Sequence, residues 1–264
     1  MLITSPQNPK IKSLKKLDKT AERREQGVFV IEGMRELCLA DWADYQITQL
    51  FICEELLVAD ESYNIDKCKL QSTEVFTITK EVYESIAYRG TTEGVIATAH
   101  PKSHSLADLK LSPTPLILVI EGVEKPGNLG AMLRTCDAVG VDAVIVCDIK
   151  TDIYNPNAVR SSIGTVFTNQ IAVASTSDVI DYLKTNGITT YAADLTATEN
   201  YYQKDFARPT AMIVGDEATG LSQDWVDAAD HRIKIPMLGR IDSLNVSVSA
   251  AVLLYEAVRQ RQRN

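Results

Sequence analysis

The segment LILVIEG (residues 116–122) is apolar without interruption up to its glutamate. A strand with one face in water alternates apolar and polar residues. A strand covered on both faces does not, and such strands belong to parallel sheets flanked by helices. The residues downstream fit that reading. NLGAMLRTCDAVG (128–140) has helical character and ends on glycine, AVIVCD (143–148) is the next strand, and a helix is expected near 155–163. After TVFTNQIAVA and a helix at 177–186, the segments YAAD, AMIVGDE and HRIKIPM continue the strands, and a long apolar helix from about Leu244 to Arg261 closes the series. The fold class is α/β, a parallel sheet with crossover connections.

The first hundred residues alternate less regularly. Residues 5–26 read as a helix, with Ile11, Leu14 and Leu17 at helical spacing and Gly27 as its stop. FVIEG (29–33) reads as a short buried strand, followed by a helix at MRELCLADWA. ITQLFIC (47–53) and EVFTITK (74–80) are β-rich, EVYESIAY (81–88) is helical, and GVIATAH (94–100) is another strand. This is a second, small α/β unit. PKSHSLADLKLSPTP (101–115) contains three prolines and is the best domain boundary. The expected division is a domain over 1–100, a linker over 101–114 and a domain over 115–264.

Composition narrows the class. With 264 residues, 45% of them hydrophobic and 23% charged, the chain can bury a real core. No stretch approaches the roughly 18–20 apolar residues of a membrane span. The start, MLITSPQNPKIK, is polar and basic and does not read as a signal peptide, so the cytoplasm is the expected location. The five cysteines are widely spaced without CxxC and read as buried thiols. His100 and His104 lie in the linker and do not read as a zinc pair, and no metal is expected. The net charge of −8 argues against a protein that coats nucleic acid indiscriminately. It is unevenly spread, however. Lys10, Lys12, Lys15, Lys16, Lys19, Arg23 and Arg24 face only Asp18 and Glu22, and Arg259, Arg261 and Arg263 crowd the tail. Such local basic surfaces can hold RNA phosphates, or they can be a solvated helix face.

Several chemistries are excluded at the first strand–helix turn of the second domain. EGVEKPGNLGAMLRT has no G-x-G-x-x-G, and neither a P-loop lysine nor a G-x-S-x-G occurs elsewhere. Three other clusters stand at strand ends, where open α/β sheets bind ligands. The first holds Glu121, Asn128, Gly130 and Arg134. The second is IVGDEATGLS with Gly215, Glu217 and Gly220. The third is IPMLGRIDSLNVSVSAA with Gly239, Ser243, Asn245 and Ser247. Each has a structural alternative. Asn128 can be a helix cap and Arg134 half of an ion pair. Gly215 and Gly220 can simply make turns, and Ser247 and Ser249 can allow close helix packing. Together they describe a small-ligand site.

These clusters carry a resemblance. N-x-G-x-x-x-R-T (Asn128 to Thr135), G-x-E-x-x-G-L (Gly215 to Leu221), and I-P-M with S-L-N-V-S (Ile235 to Ser247) resemble, in order, the three motifs of the SpoU-type (TrmH-like) RNA methyltransferases. NPNAVRSSIG, with Arg160 and Gly164, is similar to the family's segment between the first two motifs, and SPQNPKIKSLKKL…FVIEG to its small RNA-binding domain. Asp216 departs from the asparagine or small residue of many relatives.

The resemblance implies a deep trefoil knot in the C-terminal domain and S-adenosylmethionine bent within it. The matching cofactor positions are Leu195, Thr196, Gly215, Glu217, Gly220, Ile235, Met237, Leu244 and Asn245. It implies a homodimer whose partner completes each site, no membrane, and structured RNA as substrate, ribosomal ahead of transfer RNA. The reaction would be methylation of a ribose 2′-hydroxyl. Arg134 would act at the ribose or its phosphate, supported by Asn128, Glu217, Ser243 and Asn245. Lys10, Lys12, Lys15, Lys16, Arg23, Arg24, Arg134 and Arg160 would contact RNA. A catalytically inactive RNA-binding or ribosome-assembly factor on the same fold is the alternative. A base methyltransferase of the same superfamily is disfavoured by S-L-N-V-S.

Overall fold

The computed structural model describes residues 1–57, 65, 68, 74–88, 93–216 and 219–262. The chain forms two compact units: Met1–Ser103 with Asp152–Thr168 (unit 1), and His104–Thr151 with Asn169–Asn264 (unit 2).

Among its described residues, unit 1 has a five-stranded sheet of β1 (Leu2–Ile3), β2 (Phe29–Glu32), β3 (Ile47–Ile52), β4 (Glu74–Ile78) and β5 (Val95–Ala99), in the order β1-β4-β3-β5-β2. β4 pairs parallel with β1 and β3, whereas β5 runs antiparallel to β3 and β2. The expected single helix over 5–26 is two, Pro9–Lys16 and Thr20–Gln26. Asn8 caps the first by accepting from Lys10 N at 2.9 Å, and left-handed Gly27 (φ 62°) ends the second. Ile11, Leu14 and Leu17 pack on Phe51, Phe76 and Ile78, as their spacing predicts.

The division of the chain departs from the sequence expectation in one segment. Residues 152–168 were expected within the second domain, and they pack into unit 1. Aromatic rings hold them there. Tyr154 stacks on Phe29 with centroids 4.1 Å apart, and Phe167 meets Tyr45 edge-on at 5.1 Å. Arg23 closes the same join. It is 4% exposed, and its guanidinium reaches Asp152 at 2.6 Å while also donating to the Leu17 carbonyl and Thr20. The stretch expected as a linker is likewise not a free tether. Leu106, Leu109 and Leu111 pack against the core of unit 2, and the Asp142 carboxylate accepts from Ser112 N and Leu116 N, both at 2.8 Å.

Unit 2 is built on β6 (Leu116–Glu121), β7 (Ala143–Cys147), β8 (Ile171–Ala174), β9 (Thr189–Ala193), β10 (Glu199–Asn200), β11 (Thr210–Val214) and β12 (His231–Lys234). Among the described residues they form one sheet, β10-β12-β9-β11-β6-β7-β8, in which every pairing is parallel. β6, β7 and β11 are buried at every residue, which is why their sequences do not alternate. The order places the carboxyl ends of β6, β11, β9 and β12 side by side. The helix Val246–Arg261 packs against the helix Pro126–Val139 and against β11. Arg261, counted in the sequence among the basic residues of the tail, donates to the carbonyls of Phe206, Thr114, Pro115 and Arg208, while Arg259 pairs with Glu256; Arg263 lies outside the described residues. Burial pushes the Cys147 thiol up to about 12 and raises that of Cys136, so neither is a nucleophile at neutral pH.

Candidate active site

Three of the four neighbouring strand ends, those of β11, β9 and β12, each contribute one wall. After β11, Gly215 leads into a tight return in which Asp216 and Gly220 pair as an antiparallel bridge, with N···O distances of 3.0 and 2.9 Å. A Cβ built on Gly215 would stand 2.3 Å from the Gly220 carbonyl oxygen, so only glycine permits this closure. After β9, the Asp194 carboxylate accepts from Thr196 N at 2.8 Å and from Arg232 Nε at 2.7 Å. Burial works to raise the Asp194 carboxyl, and these donors outweigh it, holding it below the usual carboxylate range. The loop carrying Leu195 and Thr196 is thereby fixed. After β12, the chain passes through Ile235, Met237, Ser243 and Leu244 to the last helix.

These walls enclose a cavity of about 370 Å³. Leu195, Thr196, Gly215, Gly220, Ile235, Met237 and Leu244 line it, as does Ser243. Sequence reasoning missed Asp194 and Lys234, which line it too; a carboxylate directly before a loop at a strand end was the available signal for Asp194. Asn245 is not on this wall. It caps the last helix, its Oδ1 accepting from Ser247 N (3.0 Å) and Ser247 Oγ (2.6 Å), and its Nδ2 donates to Asn128 Oδ1 at 3.4 Å. Glu217 lies outside the described residues.

A second hollow, of about 260 Å³, adjoins the first and shares Gly215, Asp216 and Val246 with it. Asn128 lines this one. Asn128 is not a helix cap, contrary to one reading of the sequence. The helix begins at Pro126 with Lys125 as its N-cap residue, leaving the Asn128 side chain to face the hollow and Asn245. Glu121 likewise leaves the site. It is 6% exposed and accepts from Thr176 Oγ1, Ser222 N and Ser222 Oγ, tying the sheet to the segment after Gly220. At the rim, Lys150 lies 2.9 Å from Glu124 and 3.8 Å from Asp216, and the hydrogen bond to Glu124 raises its pKa. Arg134 is exposed and lines neither hollow, and it has no hydrogen-bond or ion-pair partner among the described residues.

In unit 1, Lys12, Lys15, Lys16 and Arg24 are exposed. Lys10 is partly committed, 2.9 Å from Glu74 and over the ring of Phe76. Arg23 is removed from the RNA-contacting set by its burial against Asp152. Arg160 stands on the helix Pro156–Ser161, with its guanidinium 5.5 Å from the centre of the Tyr88 ring.

The model of the SpoU rRNA Methylase family matches residues 115–255, spanning every wall of the two hollows. The chain belongs to the SpoU methylase family. Residues 8–97 match an MRM3-like substrate binding domain. The chain is 30% identical to the 23S rRNA (guanosine(2553)-2′-O)-methyltransferase of Bacillus subtilis, over 96% of this chain and 97% of that protein. Among solved structures, an RNA 2′-O ribose methyltransferase superposes with a TM-score of 0.86 at 39% identity, covering 99% of this chain and all of the other. An AdoMet-bound rRNA methyltransferase from Sinorhizobium meliloti gives 0.88 at 27% identity, over 98% and 97% of the two chains.

Proposed function

We propose that this SpoU methylase transfers a methyl group from S-adenosylmethionine to a ribose 2′-hydroxyl of structured ribosomal RNA, acting as a homodimer in the cytoplasm. The observation that carries the reading is the junction of the two hollows at Gly215 and Asp216: one is large enough for a cofactor, and the other opens beside it past Asn128. The cradle suits the cofactor. Its volume lies in the roughly 300–1,000 Å³ range of small-ligand sites, and the missing Cβ of Gly215 brings backbone to its surface. The family's trefoil knot is part of the same proposal.

When bound, S-adenosylmethionine supplies an electrophilic methyl group at its sulfonium. The chain supplies alignment and charge. The Asn128–Asn245 contact ties the first motif, beside the smaller of the two hollows, to the cap of the last helix. Such alignment is where much of the acceleration of a two-reactant transfer arises. Arg134, through its guanidinium, positions the phosphate and stabilises the developing alkoxide. Its place outside both hollows of its own chain supports a site completed by a second copy. So do Val248 (47% exposed) and Tyr255 (53%) on the last helix. Among the described residues no helix is long and apolar enough to cross a membrane.

The test uses methyl-labelled S-adenosylmethionine and ribosomal RNA from a strain lacking the gene. Label should survive alkali in a resistant dinucleotide, since a 2′-O-methyl group removes the hydroxyl that alkali uses. Arg134→Ala should abolish transfer with cofactor affinity intact. Label in ordinary mononucleotides would overturn the ribose assignment, and transfer to no RNA would favour an inactive assembly factor.

A further inference from the structure

We propose that unit 1 holds an unpaired guanine base of the RNA in a small charged hollow built around Glu36 and Arg160. This deepens the proposed function and rests on RNA being the substrate. The hollow, about 150 Å³, lies where the end of β2, the start of the helix Met34–Trp42 and the helix Pro156–Ser161 converge. Its polar wall is Glu32, Arg35, Glu36, Tyr88, Glu93 and Arg160.

The backbone is shaped to place Glu36 there. Gly33 has φ 109°, and a Cβ at that position would lie 2.5 Å from Glu36 Oε2, so the carboxylate folds back into space that only glycine leaves. Gly164 (φ 85°) does the same from the other segment. Its missing Cβ would meet Leu39 Cδ1 at 2.9 Å and Glu36 Cα at 3.1 Å, so the loop after Arg160 seats directly against Glu36. The neighbouring carboxylates have structural partners: Glu93 Oε2 accepts from Met34 N at 2.6 Å, and Glu32 Oε2 from Tyr88 N at 2.9 Å. Burial raises the Glu36 pKa, outweighing the hydrogen bond from its own backbone N–H and the charge of Arg35, which favour the ionised form, and Glu93 and Glu32 add to that rise. Donors brought to Glu36 would relieve the strain of keeping it ionised. On the same hollow, Arg160 Nη1 is buried without a hydrogen-bond partner. A buried donor on a cation is costly to leave unmet.

The hollow therefore asks for a ligand with hydrogen-bond donors for a carboxylate and acceptors for a guanidinium. A metal ion fails both counts. It offers Arg160 nothing, and among the described residues no acidic, histidine or cysteine group has an arrangement able to hold one. Among RNA bases, guanine alone carries two adjacent donors, N1–H and the N2 amino group, on one edge. It carries two acceptors, O6 and N7, on another, the pair that arginine reads most often. Adenine and cytosine set their single amino donor beside an acceptor, and uracil has one N–H between two carbonyls. Unpaired bases are what RNA-binding proteins read by sequence. The exposed lysines of the helix Pro9–Lys16, in the same unit, would contact phosphate without regard to sequence.

The experiment measures fluorescence anisotropy of the full-length chain, without S-adenosylmethionine, on an unstructured uridine-rich oligoribonucleotide carrying one central guanosine. The same oligomer with inosine or adenosine at that position, and free GMP as competitor, complete the set. Inosine keeps N1–H, O6 and N7 and lacks only the amino group. Guanosine should bind about tenfold more tightly than inosine, as expected for loss of one hydrogen bond to a charged acceptor. Glu36→Gln should bring that ratio close to one. Arg160→Lys should weaken both oligomers alike. Equal binding of the guanosine, inosine and adenosine oligomers by the unaltered chain would overturn the proposal, as would a guanosine-to-inosine ratio unchanged in Glu36→Gln. GMP competing as well as the oligomer would overturn the RNA assignment in favour of a free nucleotide. Binding is read apart from methyl transfer, so an inactive chain that still tells guanosine from inosine would sink the enzymatic reading alone.

Discussion

The large cavity of unit 2 and the small hollow of unit 1 are made of different material. The first is shaped by backbone turns and lined by largely uncharged residues: a glycine that no Cβ can replace, a returning bridge, and loops leaving neighbouring strand ends. Half of the residues lining the second are charged, and part of its wall comes from a segment that leaves the other half of the sequence to pack into unit 1. A site made of backbone tolerates variation in its side chains and suits a constant ligand. A site made of side chains can be retuned one residue at a time and suits a ligand that differs between relatives. A cofactor is the first kind of ligand, and a position in RNA is the second.

If unit 1 depends on distant side chains, breaking one of them should be severe. Arg23→Ala leaves Asp152 without its cation in a largely buried site, and unfolding of unit 1 in urea should lose about 3–5 kcal/mol. A loss under about 1 kcal/mol, the range of surface pairs, would mean that the aromatic cluster alone seats residues 152–168. In unit 2 the corresponding test is on backbone. Overpacking costs about 1–3 kcal/mol, so Gly215→Ala should weaken S-adenosylmethionine binding by roughly ten- to a hundredfold in calorimetry. Unchanged affinity would show that side chains form that cradle after all. Removing the cap with Asn245→Ala should cost about 1 kcal/mol and lower Tm by roughly 2–4 °C. Asn128→Ala, which loses the 3.4 Å contact to Asn245 and no helix cap, should shift Tm by less. Equal shifts would place the strength of the joint in that contact rather than in the cap.

The smallest effect concerns Glu36 and sharpens the contrast most. Its folded pKa is raised, so the folded state holds that proton more tightly than the unfolded chain. The associated stability is present in acid and is lost as pH rises through the folded pKa. Glu36→Gln removes the buried charge and should raise Tm by about 1–2 °C at pH 8, with no gain at pH 4. A stabilised variant that no longer distinguishes guanosine from inosine would show a carboxylate kept for binding at the expense of stability. A destabilised one would assign Glu36 to the scaffold.

Much of unit 2 was legible in its sequence because the relevant forces are local. Apolar runs at β6, β7 and β11 report burial on both faces, and the glycines at 215 and 220 report a return that other residues cannot make. Unit 1 was less legible. Nothing near Arg23 distinguishes it from Arg24, yet one is buried against a residue 129 positions away and the other is exposed. The helix at 156–161 was foreseen, but not the unit it packs into, because Tyr154 and Phe167 find their partners only in three dimensions. The cap alternative for Asn128 falls because Pro126 has already begun the helix.

The detour of residues 152–168 sets a timetable for synthesis. Tyr45 leaves the ribosome 109 residues ahead of Tyr154, an interval of roughly 5–20 s at ordinary elongation rates. Through that interval Phe29 and Tyr45 lack the rings that cover them, and Arg23 waits for Asp152. The first unit to emerge is thus finished late, after the opening strands of the second have been made. A cut at the proline-rich stretch, natural as it looks on paper, would give one fragment with an uncovered aromatic face and another carrying a loop with nowhere to dock.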